Sequence, residues 1–245
     1  MSIALGAGVD RPVISIGAIV KDTLNVISHR FLTLALLALC FLTLPQAMFG
    51  LLPKDLAALS LAAGLPALVF NGGAVLIAVR HLSGRPPLSL GEAIGAGARR
   101  FGSLWAMGFF SGLGTLAGLL LLLVPGLFLI VAWMPATAAL ISEDLSSTES
   151  LSRAWRLTDG CRWSVAGVLA ILFAAIMVIL IAFVFVVAFF AIGLGQDQAT
   201  TISSVALAPL MQSVLDILAV VTGAVVYFHL RVAKEGAADV STIFA

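Results

Sequence analysis

Charge is scarce in this sequence. Lysine, arginine, aspartate and glutamate together make up 10% of the 245 residues, whereas apolar residues make up 61%. A soluble domain carries about 25% charged residues, because it needs enough polar surface to face water. The low charge therefore excludes an ordinary soluble protein and indicates that most of the surface faces lipid. The formal net charge of +1 gives no global basic field, so we expect no nucleic-acid partner.

Residues that form disulfides or bind metals are equally few. The two cysteines, Cys40 and Cys161, exclude a disulfide framework, since one lies in an apolar run and the other beside a basic loop. The three histidines are far apart and lack the cysteine or carboxylate spacing of a metal site. The sequence contains no glycine-rich phosphate loop, no nucleophile elbow and no paired carboxylates in an apolar run. We therefore predict no metal and no cofactor, and nothing argues for an enzyme.

Long apolar runs are abundant, and six of them are long enough to cross a bilayer. A spanning helix needs about 20 mainly apolar residues to cross the ~30 Å hydrocarbon core. The third and fourth runs are interrupted only by Val124-Pro125-Gly126, which we interpret as a tight turn between two helices. We therefore predict an all-α integral membrane protein with six transmembrane helices arranged as three hairpins. The predicted spans are residues 31–52, 56–79, 103–123, 127–141, 165–192 and 204–230.

The cations are distributed unequally between the two ends of these spans. If the N-terminus is cytoplasmic, twelve of the thirteen Lys and Arg residues fall in cytoplasmic segments, and only Lys54 lies outside. This bias follows the positive-inside rule. We therefore expect a bacterial inner (cytoplasmic) membrane protein with both termini in the cytoplasm, and residues 237–245 as a short cytoplasmic tail. Residues 1–11 lack the basic start and apolar core of a cleavable signal peptide.

Amphipathic segments precede three of the spans on the predicted cytoplasmic side. Residues 14–29 place apolar side chains at helical spacing, and Ser-x-x-Glu capping boxes begin at Ser89 and Ser146. Because amphipathic helices lie at the headgroup boundary, we predict interfacial helices on the cytoplasmic face. Each segment ends in a basic–aromatic step before its span. The three junctions read Arg30-Phe31, Arg100-Phe101 and Arg162-Trp163.

These junctions predict a threefold repeat within a single membrane domain, residues 1–236. Each repeat would consist of an interfacial helix followed by a hairpin of two spans. The alternative is that any loop entering lipid acquires arginine and aromatic anchors without a shared origin. The predicted repeats are residues 11–80, 87–142 and 143–231.

Two regions of the sequence resemble a known family of membrane domains. Val124-Pro125-Gly126 with the segment SLSRAWRLTDG (150–160), and the ending VYFHLRVAKEG (226–236), are similar to motifs of the glycerophosphoryl diester phosphodiesterase membrane-domain family. Ala154 and His229 depart from the serine and aspartate that the family carries there. The resemblance implies a six-helix membrane module. It does not imply phosphodiesterase activity, since these 245 residues leave no room for the family's soluble catalytic barrel.

Polar residues are rare inside the spans, and Asp216 is the most unusual of them. It lies roughly 22 Å before Arg231 along a helix, near the middle of the membrane. Such a group by default faces the bundle interior or a wet cavity, so we expect it and Gln212 to pack inward. With Asn71 they form a candidate intramembrane polar site. It could bind a proton, a cation or a headgroup, or Asp216 could be a protonated carboxyl hydrogen-bonded to Gln212 or to a neighbouring helix.

The most distinctive motif residues lie at the predicted cytoplasmic interface, where Arg and Lys suit anionic headgroups at ~1 kcal/mol per charge. Our first hypothesis is a non-enzymatic module that binds membrane lipids or a partner membrane or cytoplasmic protein. The second is a small-solute, proton-coupled or lipid transporter that uses Asp216, and an intramembrane enzyme is the third. The candidate interface or headgroup residues are Trp155, Arg156, Arg162, Tyr227, Arg231 and Lys234.

Overall fold

The computed structural model describes residues 15–51, 64–194 and 196–236. Within these ranges all regular secondary structure is helical. Turns of π-helix at Leu39–Thr43 and Ser203–Leu207 join α2 to α3 and α11 to α12. The α-helices are α1 (Ile16–His29), α2 (Phe31–Ala38), α3 (Leu44–Gly50), α4 (Leu65–Leu82), α5 (Leu90–Arg99), α6 (Phe101–Leu121), α7 (Leu123–Trp133), α8 (Ala136–Ser142), α9 (Ser147–Thr158), α10 (Arg162–Leu194), α11 (Gln196–Ile202) and α12 (Ala208–Glu235).

Six helical stretches are long and apolar enough to cross a membrane, which confirms the predicted all-α membrane fold. Each overlaps one of the six predicted runs. The first part of the second predicted run, Lys54, and the predicted tail lie outside the described residues. The stretches are Phe31–Gly50, Leu65–Leu82, Phe101–Leu121, Val124–Ser142, Arg162–Gly193 and Thr200–Glu235.

The turn between the third and fourth spans differs from the prediction. The only extended residue there is Leu122, and α7 begins at Leu123. Pro125 therefore lies in the first turn of a helix, where its missing N–H costs nothing. Gly126 lies where a Cβ atom would come within 2.4 Å of the Leu119 side chain. This glycine serves close packing between α6 and α7 rather than the turn itself.

The amphipathic segments form helices α1, α5 and α9. Both predicted capping boxes are present, since the backbone N–H of Ser89 donates to Glu92 (2.9 Å) and that of Ser146 to Glu149 (3.0 Å). These bonds satisfy N–H groups that no helical carbonyl can reach. The sequence pattern was therefore sufficient to place both helix starts.

The second helices of the three hairpins pack against one another, and the amphipathic helices cover one end of them. In the centre, α4, α8 and α12 are in mutual contact, while α5 packs on α4, α9 on α8, and α1 on α12. We call this the capped end: α1, α5, α9, the junctions that follow them, and the adjoining ends of α4, α8 and α12. Burial is concentrated here, whereas α10 is apolar and, among its described side chains, buries only Val165 and Val168 near its start, as expected of a surface in lipid.

Candidate functional site

A network of charged side chains joins α8, α9 and α12 at the capped end. Arg231, only 1% exposed, donates from Nη1 to the Tyr227 hydroxyl (2.8 Å) and from Nε to Glu235 (2.9 Å). The Tyr227 hydroxyl donates to Glu143 (2.8 Å). Arg153 donates from Nε to both oxygens of Glu143 (2.8 and 3.0 Å) and from Nη2 to Glu235. Two carboxylates thus balance two guanidinium groups in a buried setting.

Burial by itself disfavours the charge on Arg153. The hydrogen bonds to Glu235 and Glu143 outweigh that effect, so the pKa of the Arg153 guanidinium is raised. The carboxylates of Glu143 and Glu235 therefore offset the cost of burying a guanidinium group, which stays charged in any case. Because the members of the network come from three elements, it fixes α9 against the end of α12.

This network corrects the interpretation of two predicted headgroup residues. Tyr227 and Arg231 lie inside the protein, where their polar atoms contact Glu143 and Glu235 rather than lipid. No local pattern indicated this pairing, because Glu143 is 88 positions from Arg231 and lies in an ordinary polar loop. The one local hint was Glu235, which follows Arg231 by four residues, the spacing of neighbours on a helix.

A groove with a volume of about 600 Å³ opens where α9 turns into α10. One wall comes from α7 and the other from the start of α10. Its floor is almost wholly apolar, and Arg162 is the only charged side chain in the lining. The lining residues are Val124, Leu127, Phe128, Val131, Gly160, Arg162, Trp163 and Ala166.

Arg162 lies against two aromatic rings at the edge of this groove. Its guanidinium carbon is 4.6 Å from the ring centroid of Phe128 and 4.7 Å from that of Trp155, and the two rings meet edge to face at 5.3 Å. Cation–π contacts of this kind hold an arginine in a defined orientation. Its Nη2 is 3.4 Å from Asp159, which is 71% exposed, and its Nε is buried without a hydrogen-bond partner. The charge of Arg162 is therefore only weakly balanced by the protein.

The other two junction arginines have different partners. Arg30 donates from Nε to Nδ1 of His81 (3.3 Å) at the end of α4, and Arg100 forms an ion pair with Asp144, just after α8. The equivalent partner for Arg162 would lie at the end of α12. There the carboxylate of Glu235 already binds Arg153 and Arg231. Arg162 instead borders the groove.

The remaining predicted interface residues form a separate contact on the outer side of α9. Lys234 donates from Nζ to the backbone carbonyl of Arg156 (2.6 Å), and both side chains are exposed. The six candidate interface residues therefore divide into three pairs. Trp155 and Arg162 border the groove, Tyr227 and Arg231 belong to the buried network, and Arg156 and Lys234 lie on the surface.

The predicted intramembrane residues do not form one site. The Gln212 side-chain N–H donates to Asp216 (3.1 Å), as expected, but Gln212 is exposed and Asp216 only half-buried. The prediction that this pair packs inward is therefore wrong for Gln212. The polar side chain that does face the bundle is Ser213, whose hydroxyl meets that of Thr43 at 2.8 Å. The π-helical turn that carries Thr43 packs on α12 there.

Asn71 lies in a different place. It borders a cavity of about 160 Å³ with, among others, Met134, Thr137 and Gly223. Asp216 is not one of the lining residues, although Ala219, one helical turn further along α12, is. Among the described residues no group of three or more His, Cys, Asp or Glu side chains could hold a metal ion.

Comparison with known proteins gives one partial match. This chain is 36% identical over 89 residues to "UPF0259 membrane protein SG1383" of Sodalis glossinidius (strain morsitans), and the match covers 36% of each protein. No family model matches the chain, and no solved structure does. These comparisons support a relationship to a membrane protein family and give no support to the glycerophosphoryl diester phosphodiesterase membrane-domain resemblance. The chain is thus a multi-pass membrane protein that is similar, over about a third of its length, to a UPF0259 membrane protein.

Proposed function

We propose that this chain is a non-enzymatic membrane module that binds anionic lipid at its capped end. The supporting observation is the charge of that end, where eleven Lys and Arg residues stand against seven Asp and Glu. Among the described residues the opposite end carries no Lys or Arg. The basic residues are Lys21, Arg30, Arg80, Arg85, Arg99, Arg100, Arg153, Arg156, Arg162, Arg231 and Lys234; the acidic ones are Asp22, Glu92, Glu143, Asp144, Glu149, Asp159 and Glu235.

The ion pairs within the capped end determine which of its cations remain exposed to lipid. Arg153 and Arg231 are neutralised within the fold, whereas Lys21, Arg99 and Arg156 remain exposed. Exposed cations at the boundary attract anionic headgroups by ~1 kcal/mol each. A partner protein with an acidic surface is the alternative occupant. We also propose that the chain is related to the glycerophosphoryl diester phosphodiesterase membrane-domain family, on the segments 150–160 and 226–236 that carry the resemblance.

The lipid preference can be measured by native mass spectrometry. Protein released from nanodiscs of equal phosphatidylglycerol and phosphatidylcholine is expected to retain the anionic lipid with at least about fivefold enrichment, the effect of one uncompensated cation. Retention in the bulk ratio would contradict the proposal. The Asp216→Asn variant is expected to retain the same lipid, because Asp216 lies on α12 far from the exposed cations. Loss of a small ligand in this variant alone would favour the transporter hypothesis.

The same charge asymmetry supports an orientation with the capped end in the cytoplasm. Single cysteines in a cysteine-free background test it, with Pro87→Cys between α4 and α5 and Thr201→Cys at the opposite end. An impermeant maleimide is expected to label Thr201→Cys in spheroplasts and Pro87→Cys only in inside-out vesicles. The reverse pattern would overturn the orientation.

A further inference from the structure

We propose that the groove between α7 and α10 holds an acyl chain of an anionic lipid whose headgroup binds Arg162. This inference rests on the proposed function and gives it a site. One lipid occupies the groove. Its acyl chain contacts the apolar walls, and its headgroup binds Arg162.

The charge of Arg162 is the first argument. Its Nη2 is 3.4 Å from the exposed carboxylate of Asp159, and its buried Nε has no hydrogen-bond partner among the described residues. At the other junctions the Nε of Arg30 donates to His81, and Arg100 pairs with Asp144, a carboxylate that is as exposed as Asp159. A guanidinium presents several N–H donors in a planar fork that suits phosphate oxygens. The stacking on Phe128 and Trp155 fixes that fork before any ligand arrives.

The shape of the groove is the second argument. Val124, Leu127 and Val131 line one wall over two turns of α7, or roughly 10 Å along the helix axis. The opposite wall offers Ala166, whose small side chain leaves room for a ligand. An apolar channel that ends at a single cation matches an amphiphile rather than a free anion, which would gain nothing from the apolar walls.

The position of Trp163 agrees with a lipid at this depth. Its side chain is 92% exposed beside Arg162. Exposed tryptophan is typical of the boundary between headgroups and hydrocarbon. An exposed tryptophan beside Arg162 therefore agrees with a groove whose cation lies at the level of the lipid headgroups.

Replacing Asp159 is expected to raise lipid retention, whereas replacing Arg162 is expected to lower it. The carboxylate of Asp159 faces the Arg162 guanidinium and competes with a bound phosphate. The variant Asp159→Asn is therefore expected to increase retention of phosphatidylglycerol severalfold, while Arg162→Gln is expected to lower it roughly tenfold, as for loss of one charge-assisted contact. Arg156→Gln removes an exposed cation of α9 outside the groove and is the comparison variant; it is expected to lower retention by no more than about fivefold, the ~1 kcal/mol of one exposed cation.

A second pair of variants tests the acyl channel. Ala166→Trp fills the groove and is expected to lower retention at least as much as Arg162→Gln, whereas Ala182→Trp, at an exposed position on the opposite face of the same helix, is expected to leave it unchanged. Melting temperatures measured in detergent identify any variant that is misfolded, and the gain expected for Asp159→Asn does not depend on the loss variants folding.

The outcomes separate the groove from the broader proposal. If the wild type retains phosphatidylglycerol but Arg162→Gln, Asp159→Asn and Ala166→Trp all behave as it does, the groove assignment is overturned and the lipid-binding module stands. If the wild type shows no anionic preference, both fall. Retention of a protein instead of lipid, lost in Ala166→Trp, would overturn the lipid as occupant.

Discussion

Replacing Arg231 with methionine is expected to lower the free energy of unfolding by ~3–5 kcal/mol, the range for breaking a buried ion pair by removing one partner. The side chain is 1% exposed, and its loss leaves Glu143 and Glu235 with one guanidinium between them. The Tyr227 hydroxyl would also lose its donor. Thermal or denaturant unfolding in detergent measures the effect.

The control for this variant is Lys234→Met, one helical turn away on the exposed side of α12. Among the described residues its hydrogen bond goes to a backbone carbonyl, so we expect a change within about 1 kcal/mol. Equal effects of the two variants would show that the network contributes no special stability.

Adding Glu235→Gln to Arg231→Met is expected to lower the free energy of unfolding by less than the sum of the two single changes, because both residues belong to one network.

The network also matters for the groove. Arg153 carries the network onto α9, and the same helix carries Trp155, against which Arg162 stacks. A helix that is released from α12 no longer holds that ring in place. The Arg231→Met variant should therefore be used as a stability probe only, and not as a test of lipid binding.

Replacing Gly97 with alanine is expected to destabilise the protein by ~1–3 kcal/mol or more, the usual cost of overpacking. A Cβ at this position would lie 2.1 Å from the Val69 carbonyl oxygen and 2.8 Å from the Val69 carbonyl carbon. Because these are backbone atoms of α4, no side-chain rotation can relieve the overlap. Helix α5 would have to move away from α4, which a lower melting temperature would report.

Gly95→Ala is the control on the same helix, and we expect it not to lower the stability of the protein. Its Cβ would meet only the end of the flexible Arg99 side chain, at 3.6 Å. Alanine in a helix interior is favoured over glycine by roughly 0.5–1 kcal/mol, so stability should be unchanged or higher. A loss of stability in Gly95→Ala equal to that in Gly97→Ala would contradict the close-packing explanation.

Local patterns predicted much of the architecture correctly. The six spans follow from the length and apolarity of each run, and the starts of α5 and α9 follow from capping boxes whose atoms lie within one helical turn. The threefold repeat stays a prediction. Its proposed units would correspond to α1–α4, α5–α8 and α9–α12. The amphipathic helix of each unit packs on the last helix of another unit, α5 on α4, α9 on α8 and α1 on α12.

Predictions that required knowledge of neighbours were less successful. The turn after the third span was placed at Pro125 and Gly126 instead of Leu122, because a proline–glycine pair also suits a first helical turn that packs closely on another helix. Gln212 was expected to pack inward together with Asp216. It is exposed instead, because the neighbours of α12 change along its length.

The sequence by itself determined that this protein is a helical membrane protein with its cations gathered at one end, because hydropathy and charge act over single runs of residues. Only the tertiary structure decided what each cation does. Arg162 and Arg231 both lie beside aromatic residues near a helix end, and each has one carboxylate within a helical turn, Asp159 and Glu235 respectively. Arg231 lies inside the protein, where Glu143, distant in sequence, also reaches it, whereas Arg162 borders the groove against Phe128 and Trp155. Electrostatic pairing depends on distance in space, which the order of residues does not reveal.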